Sequence, residues 1–188
     1  MVEKLKAEYG VDVDWWPFLL RPDTPPEGME LPPHIRARYA GTSERLRQRA
    51  RAAGMEMVTP TRIPNTRLAH EATAFAREQG KGEAFHRVVF HKFYGEGQDI
   101  GQWGVLRAAA EEVGLDPDTM RRELETGKYR ALVEAHVSEA YGLGITAVPT
   151  YIFDNKYAIV GAQPYEVFEQ AMARFMTRPR RQNNDKLL

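Results

Sequence analysis

Five histidines are the residues of this sequence best suited to acid–base or metal chemistry. They are His34, His70, His86, His91 and His136. His86 and His91 lie about 140° apart around a helix, so they do not form a metal-binding pair. His70 and Glu71 begin like the zinc motif H-E-x-x-H, but alanine occupies position 74. The spacing therefore predicts no metal site, and it favours His70 as a histidine on a helix face or hydrogen-bonded in the core.

The sequence lacks the residues that thiol chemistry and a phosphate-binding loop require. It contains no cysteine, which excludes disulfides, thiolate catalysis and cysteine metal sites within these 188 residues. Gly95, Gly97 and Gly101 lie close together, but no strand precedes them and no Gly-Lys-Ser/Thr follows. These glycines therefore do not indicate a phosphate-binding loop.

The charge balance also limits the partners of the protein. Twenty-six basic residues offset 26 acidic ones, so the formal net charge is zero. Such a chain has no overall attraction to nucleic acid or to anionic membranes. The arginine-rich stretches "RLRQRARAAG" and "RPRRQ" favour a solvated helix face and a loose tail. Because no apolar run could span a bilayer and no secretory signal is present, we expect a cytoplasmic protein without nucleic-acid or membrane partners.

The segments that could position functional residues differ between the ends and the middle of the chain. "MVEKLKAEYG" predicts the last turns of a helix that stops at Gly10. "VDVDWWPFLL" alternates apolar and acidic residues and predicts a strand, in which Trp15, Trp16 and Phe18 are core or groove-wall residues. A proline-rich loop follows, and we expect one helix near residues 34–39 and another ending at Gly54.

Helices dominate the middle of the sequence, and strands return near its end. Residues 65–141 predict about five short amphipathic helices, with Asn65-Thr66 and Asp116 as caps. "TYIF" and "KYAIV" flank Asp154-Asn155, a two-residue hairpin signal, and "GAQPYEVFEQAMARFM" predicts a final helix. This order predicts one α/β domain over 1–178, with a core of 1–31 and 143–178. A helical insertion would span about 32–142, and 179–188 would form a tail.

Five segments together carry a resemblance to a known family. "GITAVPTYIF" followed by "VGAQPYEVFEQAM" resembles the C-terminal half of thioredoxin-fold proteins of the DsbA family. The resemblance is to the FrnE-like branch, near 2-hydroxychromene-2-carboxylate isomerases and kappa-class glutathione transferases. Three earlier segments are similar in the same order: "WWPFLLRPDTPPEG", "NTRLAHEATAFAREQG" and "FHRVVFHKFYGEGQDIG". The resemblance covers about residues 11–175 and implies a thioredoxin-like core with an all-helical insertion.

The resemblance also implies a substrate-binding site. In this family the proline of the Val-Pro pair is cis, and the backbone of the preceding residue pairs with an extended peptide or with glutathione. The implied substrate-binding residues are Ala147, Val148, Pro149, Asn65, His70 and Trp16. The implied partners are a peptide thiol or disulfide, or a glutathione-like substrate. We expect no bound cofactor, although the resemblance allows glutathione.

The sequence departs from the family where the reactive group is expected. Family members carry a strand and then Cys-x-x-Cys, or a serine variant, at the start of the first long helix. We expect this sequence to lack that strand and motif, so it cannot exchange thiols and disulfides alone. Three hypotheses follow: a disulfide oxidoreductase, a glutathione-dependent isomerase or transferase, and a non-catalytic binding or assembly module. A missing central strand would expose sheet edges, so we also expect a homo-oligomer, in the simplest case a dimer.

Overall fold

The structure of the protein is a computed structural model that describes residues 1–52 and 54–176, apart from the side chains of residues 35, 38–43 and 176. The tail expected at 179–188 lies outside the described residues. The chain divides into two compact units, one formed by Met1–Trp16 and the chain from Gly144 onward, and one formed by Pro17–Leu143. The sequence predicts a helical insertion over about 32–142, and the corresponding compact unit begins earlier, at Pro17.

Eight α-helices and four short strands form the described residues. The helices are α1 (Val2–Tyr9), α2 (Pro33–Ala52), α3 (Arg67–Glu78), α4 (Gly82–Phe90), α5 (Trp103–Glu112), α6 (Pro117–Glu125), α7 (Lys128–Gly142) and α8 (Tyr165–Met176). The strands are β1 (Met29–Glu30), β2 (Arg62–Ile63), β3 (Thr150–Phe153) and β4 (Tyr157–Val160). A π-helical turn, His91–Gly95, continues α4. In this part of the chain none of the helices has both the length and the apolar character that crossing a membrane requires.

Helix α3 is the centre of the unit formed by Pro17–Leu143. Its residues Ala72, Phe75 and Ala76 follow the i, i+3, i+4 spacing of a helix face and are buried. Around that face α4, α5, α6 and α7 pack, and they contribute the buried side chains Phe85, Leu106, Met120 and Tyr129. Burial of one such side chain stabilises the fold by roughly 1.5–3 kcal/mol, so this core holds the helical unit together.

The cap of α6 follows directly from the sequence. Both oxygens of the Asp116 carboxylate accept hydrogen bonds, from the backbone N–H groups of Asp118 and Thr119. Pro117 occupies the first turn, where its missing N–H costs nothing. The predicted Asp-Pro helix start is therefore confirmed.

The other unit is built on the predicted β-hairpin. Strand β3 pairs antiparallel with β4, and the turn residues Asp154 and Asn155 have φ of 50° and 52°. Both residues lie in the left-handed region that a type I′ turn requires. Phe168 of α8 is fully buried and packs with Leu5 of α1. Tyr151, Phe153 and Ile159 of the hairpin pack against this pair.

The structure corrects two predictions about local structure. Residues 11–19 form no strand, although their alternating pattern predicts one. A strand exists through hydrogen bonds to a neighbour, and among the described residues no strand pairs with this segment. The two helices expected near 34–39 and up to Gly54 are one helix, α2, which runs through Gly41. An interior glycine costs only about 1 kcal/mol relative to alanine, so it does not end a helix of this length.

A short pairing also joins two segments that were expected to be irregular. Met29 pairs with Ile63 and Glu30 with Arg62, so β1 and β2 form a two-residue antiparallel bridge. The proline-rich composition around both segments gave no local sign of a strand. Even with these corrections the fold is a helix-rich α/β fold with small sheets.

Candidate functional site

The Val-Pro loop is anchored on both sides of Val148. The peptide bond between Val148 and Pro149 is cis. The carbonyl of Pro149 accepts a hydrogen bond from the Gly161 N–H at 2.8 Å, which extends the ladder of the hairpin by one bond. The carbonyl of Ala147 accepts one from the Thr150 hydroxyl at 2.7 Å. The loop thus has a defined backbone path rather than a free one.

Val148 itself is open for interaction. Its exposed fraction is 48%. Within residues 1–52 and 54–176, no group hydrogen-bonds to its backbone N–H or C=O. An unpaired donor and acceptor on one residue of a fixed loop can accept an extended ligand backbone, as the edge of a sheet accepts a strand.

Trp16 belongs to the same compact unit as the Val-Pro loop. The exposed fraction of its side chain is 42%, and that of Trp15 is 44%. The Trp16 indole N–H donates to the Asp14 carboxylate at 2.8 Å. These exposures show that the two tryptophans are not core residues, which was one of the two interpretations of the sequence. Tryptophan held at a surface is a common component of binding sites.

Asn65 lies in the unit formed by Pro17–Leu143, where its side chain makes structural hydrogen bonds. Its side-chain oxygen accepts from the backbone N–H of Arg67 at 3.0 Å, and its side-chain N–H donates to the carbonyl of Thr24 at 2.7 Å. Asn65 therefore caps α3, whereas the Thr66 side chain makes no cap hydrogen bond. Gly101 approaches the Asn65 backbone so closely that a Cβ there would lie 2.8 Å from its carbonyl oxygen.

His70 shares the unit of Asn65 and is uncharged at neutral pH. Burial of its imidazole and the nearby His86 lower the pKa of His70 to about 4, although a hydrogen bond to the Phe18 backbone opposes that shift. Burial also lowers the pKa of His86. In the described residues, no group of three or more histidine, aspartate or glutamate side chains could hold a metal ion.

Two further side chains donate hydrogen bonds to the segment that ends at Thr24, the partner of Asn65, and no sequence motif pointed to either. Arg67 donates to the carbonyl of Pro22 at 3.3 Å. Tyr141 donates its hydroxyl to the carbonyl of Leu19 at 2.7 Å, from a position 122 residues later in the chain. A hydrogen bond between a side chain and a distant carbonyl leaves no pattern in local sequence, which is why these residues were missed.

The sequence pattern of the DSBA-like thioredoxin domain matches residues 1–173 of the chain. The uncharacterized protein YwbO of Bacillus subtilis (strain 168) is 36% identical over 166 residues, which cover 87% of this chain and 82% of that protein. The 2-hydroxychromene-2-carboxylate isomerase of Sphingobium xenophagum is 33% identical over 89 residues, covering 45% of this chain and 44% of the isomerase.

Solved structures of DsbA-like proteins and of an isomerase resemble this chain in fold. The crystal structure of the probable DsbA oxidoreductase SCO1869 from Streptomyces coelicolor has a TM-score of 0.83 and 27% sequence identity, covering 94% of this chain and 82% of that one. A structure of a 2-hydroxychromene-2-carboxylate isomerase has a TM-score of 0.75 at 19% identity, covering 93% of this chain and 86% of the isomerase. At that identity the second likeness concerns the fold alone.

Proposed function

Because the chain belongs to the DSBA-like thioredoxin domain family, we propose that its Val-Pro loop binds the extended backbone of a thiol or disulfide substrate. The substrate would be a peptide, or the γ-glutamylcysteine part of glutathione. One observation carries the proposal: Val148 presents an unpaired backbone N–H and C=O within the described residues, on a loop fixed by hydrogen bonds on either side. Ala147 and Pro149 set the path of this loop, and Trp16 supplies an exposed aromatic surface in the same compact unit.

The chemistry that these residues can perform is limited by their composition. In thiol–disulfide exchange a thiolate attacks one sulfur of a disulfide, a new S–S bond forms, and the other sulfur leaves as a thiolate. The 188 residues contain no cysteine, so they supply neither the attacking nor the resolving sulfur. They can bind and orient a substrate for a thiol that comes from elsewhere. We therefore propose that these residues bind substrate as part of a DsbA-like oxidoreductase and do not themselves catalyse thiol–disulfide exchange.

Backbone NMR tests the binding step directly. The ¹⁵N-labelled protein would be titrated with S-methylglutathione and, separately, with a short uncharged peptide. A new hydrogen bond would move the Val148 amide signal strongly. Val148→Ala keeps the backbone groups and should still bind. Val148→Pro removes the N–H and should bind much more weakly, once circular dichroism shows an intact fold. A folded protein whose Val148 amide is unaffected by either ligand at millimolar concentration would contradict the proposal.

A second candidate function is that of a glutathione-dependent isomerase. It is favoured by the matching segment of the Sphingobium xenophagum isomerase and by the likeness of fold to a structure of such an isomerase. In this case glutathione, bound at the Val-Pro loop, would supply the thiol that the chain lacks. An assay with 2-hydroxychromene-2-carboxylate separates the two candidates. Glutathione-dependent isomerisation supports the second, and binding without isomerisation supports the first.

We also propose that the chain self-associates through β3. In the described residues β3 pairs with β4 alone, so one edge of β3 presents unpaired backbone groups. The side chains of residues 146–153 carry no charge, and Ile152 is 43% exposed. Nothing in this segment therefore repels the same segment of a second copy, and edge-to-edge pairing would satisfy its backbone groups.

A further inference from the structure

Strand β3 directs the backbone groups of successive residues alternately toward β4 and toward an open edge. The carbonyl of Pro149 accepts a hydrogen bond from the Gly161 N–H at 2.8 Å, so Pro149 faces β4. Because this direction alternates along an antiparallel strand, Tyr151 also faces β4, whereas Thr150 and Ile152 face away from it. Within the described residues β3 pairs with β4 alone, so the outward N–H and C=O groups of these two residues have no partner strand.

Val148 belongs with these two residues. It precedes Thr150 by two positions, and its own N–H and C=O are also unpaired in the described part of the chain. We call Val148, Thr150 and Ile152 the open strip. An extended ligand that pairs with Val148 and continues beside β3 reaches the outward groups of the other two. A strand rises about 3.3 Å per residue, so a ligand of about five residues covers the strip.

The opposite edge of the hairpin is less available to a ligand. On β4, Val160 lies in register with Thr150 and Ala158 with Ile152. The carbonyl of Val160 already accepts a hydrogen bond from the Gln163 side chain at 2.9 Å. The open strip on β3 is therefore the edge that offers its full set of donors and acceptors.

The side chains around the open strip are uncharged. Residues 144–153 include no acidic or basic side chain, and the next charged residues, Asp154 and Lys156 of the hairpin turn, bond to each other at 2.6 Å. Ile152 and Val160 lie on the same face of the hairpin and are 43% and 52% exposed. A ligand strand at the strip would place every second side chain beside this apolar face.

We propose that the ligand is an uncharged peptide strand of about five residues, with apolar side chains at alternate positions, which pairs with all three residues of the open strip. This proposal rests on the proposed function and adds the length and chemical class of its ligand. Glutathione fits less well, because it carries a carboxylate at each end and residues 144–153 hold no cation to bind one. Its backbone is also too short to extend from Val148 to Ile152. A second copy of β3 occupies the same strip only when no peptide does.

Backbone NMR compares two ligands on the ¹⁵N-labelled protein. The first is a peptide of alternating valine and threonine, about six residues long, with its ends acetylated and amidated to remove their charges. The second is S-methylglutathione. The peptide should move the amide signals of Val148, Thr150 and Ile152, while that of Tyr151, which faces β4, should move little. It should also bind roughly tenfold more tightly than S-methylglutathione, because two further residues pair with it.

Two proline variants test the edge itself. Ile152→Pro removes an outward N–H of β3, and Val160→Pro removes an outward N–H of β4, so neither takes a donor from the β3–β4 ladder. Ile152→Pro should weaken peptide binding about tenfold, whereas Val160→Pro should bind like the wild type. The converse result would place the peptide on β4 and overturn the proposal.

Modified peptides keep the test independent of whether Ile152→Pro folds. Two versions carry N-methyl groups on alternate residues, in opposite phase. Because only one edge of the peptide would pair with β3, one version should lose binding and the other should keep it, and equal behaviour of both contradicts the proposal. If Val148 alone responds and both ligands bind equally, the proposed function stands and this inference fails. If no amide moves, both fail. Signals of Thr150 and Ile152 that depend on protein concentration but not on peptide would mean that only a second copy occupies the strip, which also overturns the inference.

Discussion

Tyr141 donates its hydroxyl to the backbone carbonyl of Leu19 at 2.7 Å, across 122 residues of sequence. This bond joins the end of α7 to the segment that follows Trp16 and Pro17. Leu19 itself is buried among other α7 side chains. The relationship shows how an irregular stretch of chain becomes a fixed part of the helical unit: one face is packed and its carbonyls are bonded by distant donors.

Acid should destabilise the protein through His70. Its pKa in the folded state is about 4, below the value near 6.5 of an unfolded chain. The unfolded state therefore binds a proton first, so the stability present above about pH 6.5 is lost as the pH falls through 6.5 to 4. The full loss is roughly 3 kcal/mol. Urea denaturation between pH 7 and 4 should show a steeper fall for the wild type than for His70→Gln. Equal slopes would contradict the prediction.

Replacement of Glu71 should act in the opposite direction. Burial raises the pKa of this carboxyl despite Arg130, whose guanidinium lies 3.6 Å away. A raised folded pKa means that stability is present at low pH and is lost as the pH rises through that value. Glu71→Gln removes this penalty, so its free energy of unfolding should exceed that of the wild type at pH 7, and the difference should shrink toward pH 4 as the wild-type carboxyl is protonated. Glu134→Gln, at a neighbouring exposed carboxylate, should change stability little at either pH.

Truncation of Phe85 should damage the core of the helical unit. The side chain is fully buried in the main apolar cluster, so Phe85→Ala removes packed surface and leaves a cavity. The expected cost is about 3–5 kcal/mol in denaturant unfolding. Phe90→Ala is the matched control, because Phe90 lies on the same helix with 51% of its surface exposed. A similar cost for both variants would mean that the cluster is not the main source of stability.

Self-association should depend on β3. Light scattering coupled to size exclusion should give a mass above that of one 21.4 kDa chain. Ile152→Lys places a charge beside the open edge, and two like charges would face each other in a paired sheet, so this variant should shift the equilibrium toward the monomer. Val167→Lys makes the same kind of change on α8, at a side chain that is 36% exposed, and should not. A wild-type monomer at all concentrations would rule out the proposed interface.

Much of the local structure could be predicted because its cause is local. The Asp116 cap needs only an acceptor and two nearby N–H groups, and the Asp154-Asn155 turn needs only residues that accept a positive φ. The Val-Pro loop was found in the same way, as a short motif before a strand. The family could also be recognised from the sequence, because five characteristic segments occur in a fixed order.

Other features depend on which distant segments meet, and no local pattern encodes that. The strand predicted at residues 11–20 is absent. Alternating apolar and polar residues suit a strand, but a strand forms only where a neighbouring strand pairs with it. The resemblance implies Asn65 as a substrate-binding residue, and the structure bonds its side chain to the backbone carbonyl of Thr24. The sequence by itself determined the helices after residue 65, the hairpin, the family and the lack of a thiol. Only the tertiary structure decided which donors hold which carbonyls, since a hydrogen bond forms between whatever groups the packed chain brings within about 3 Å.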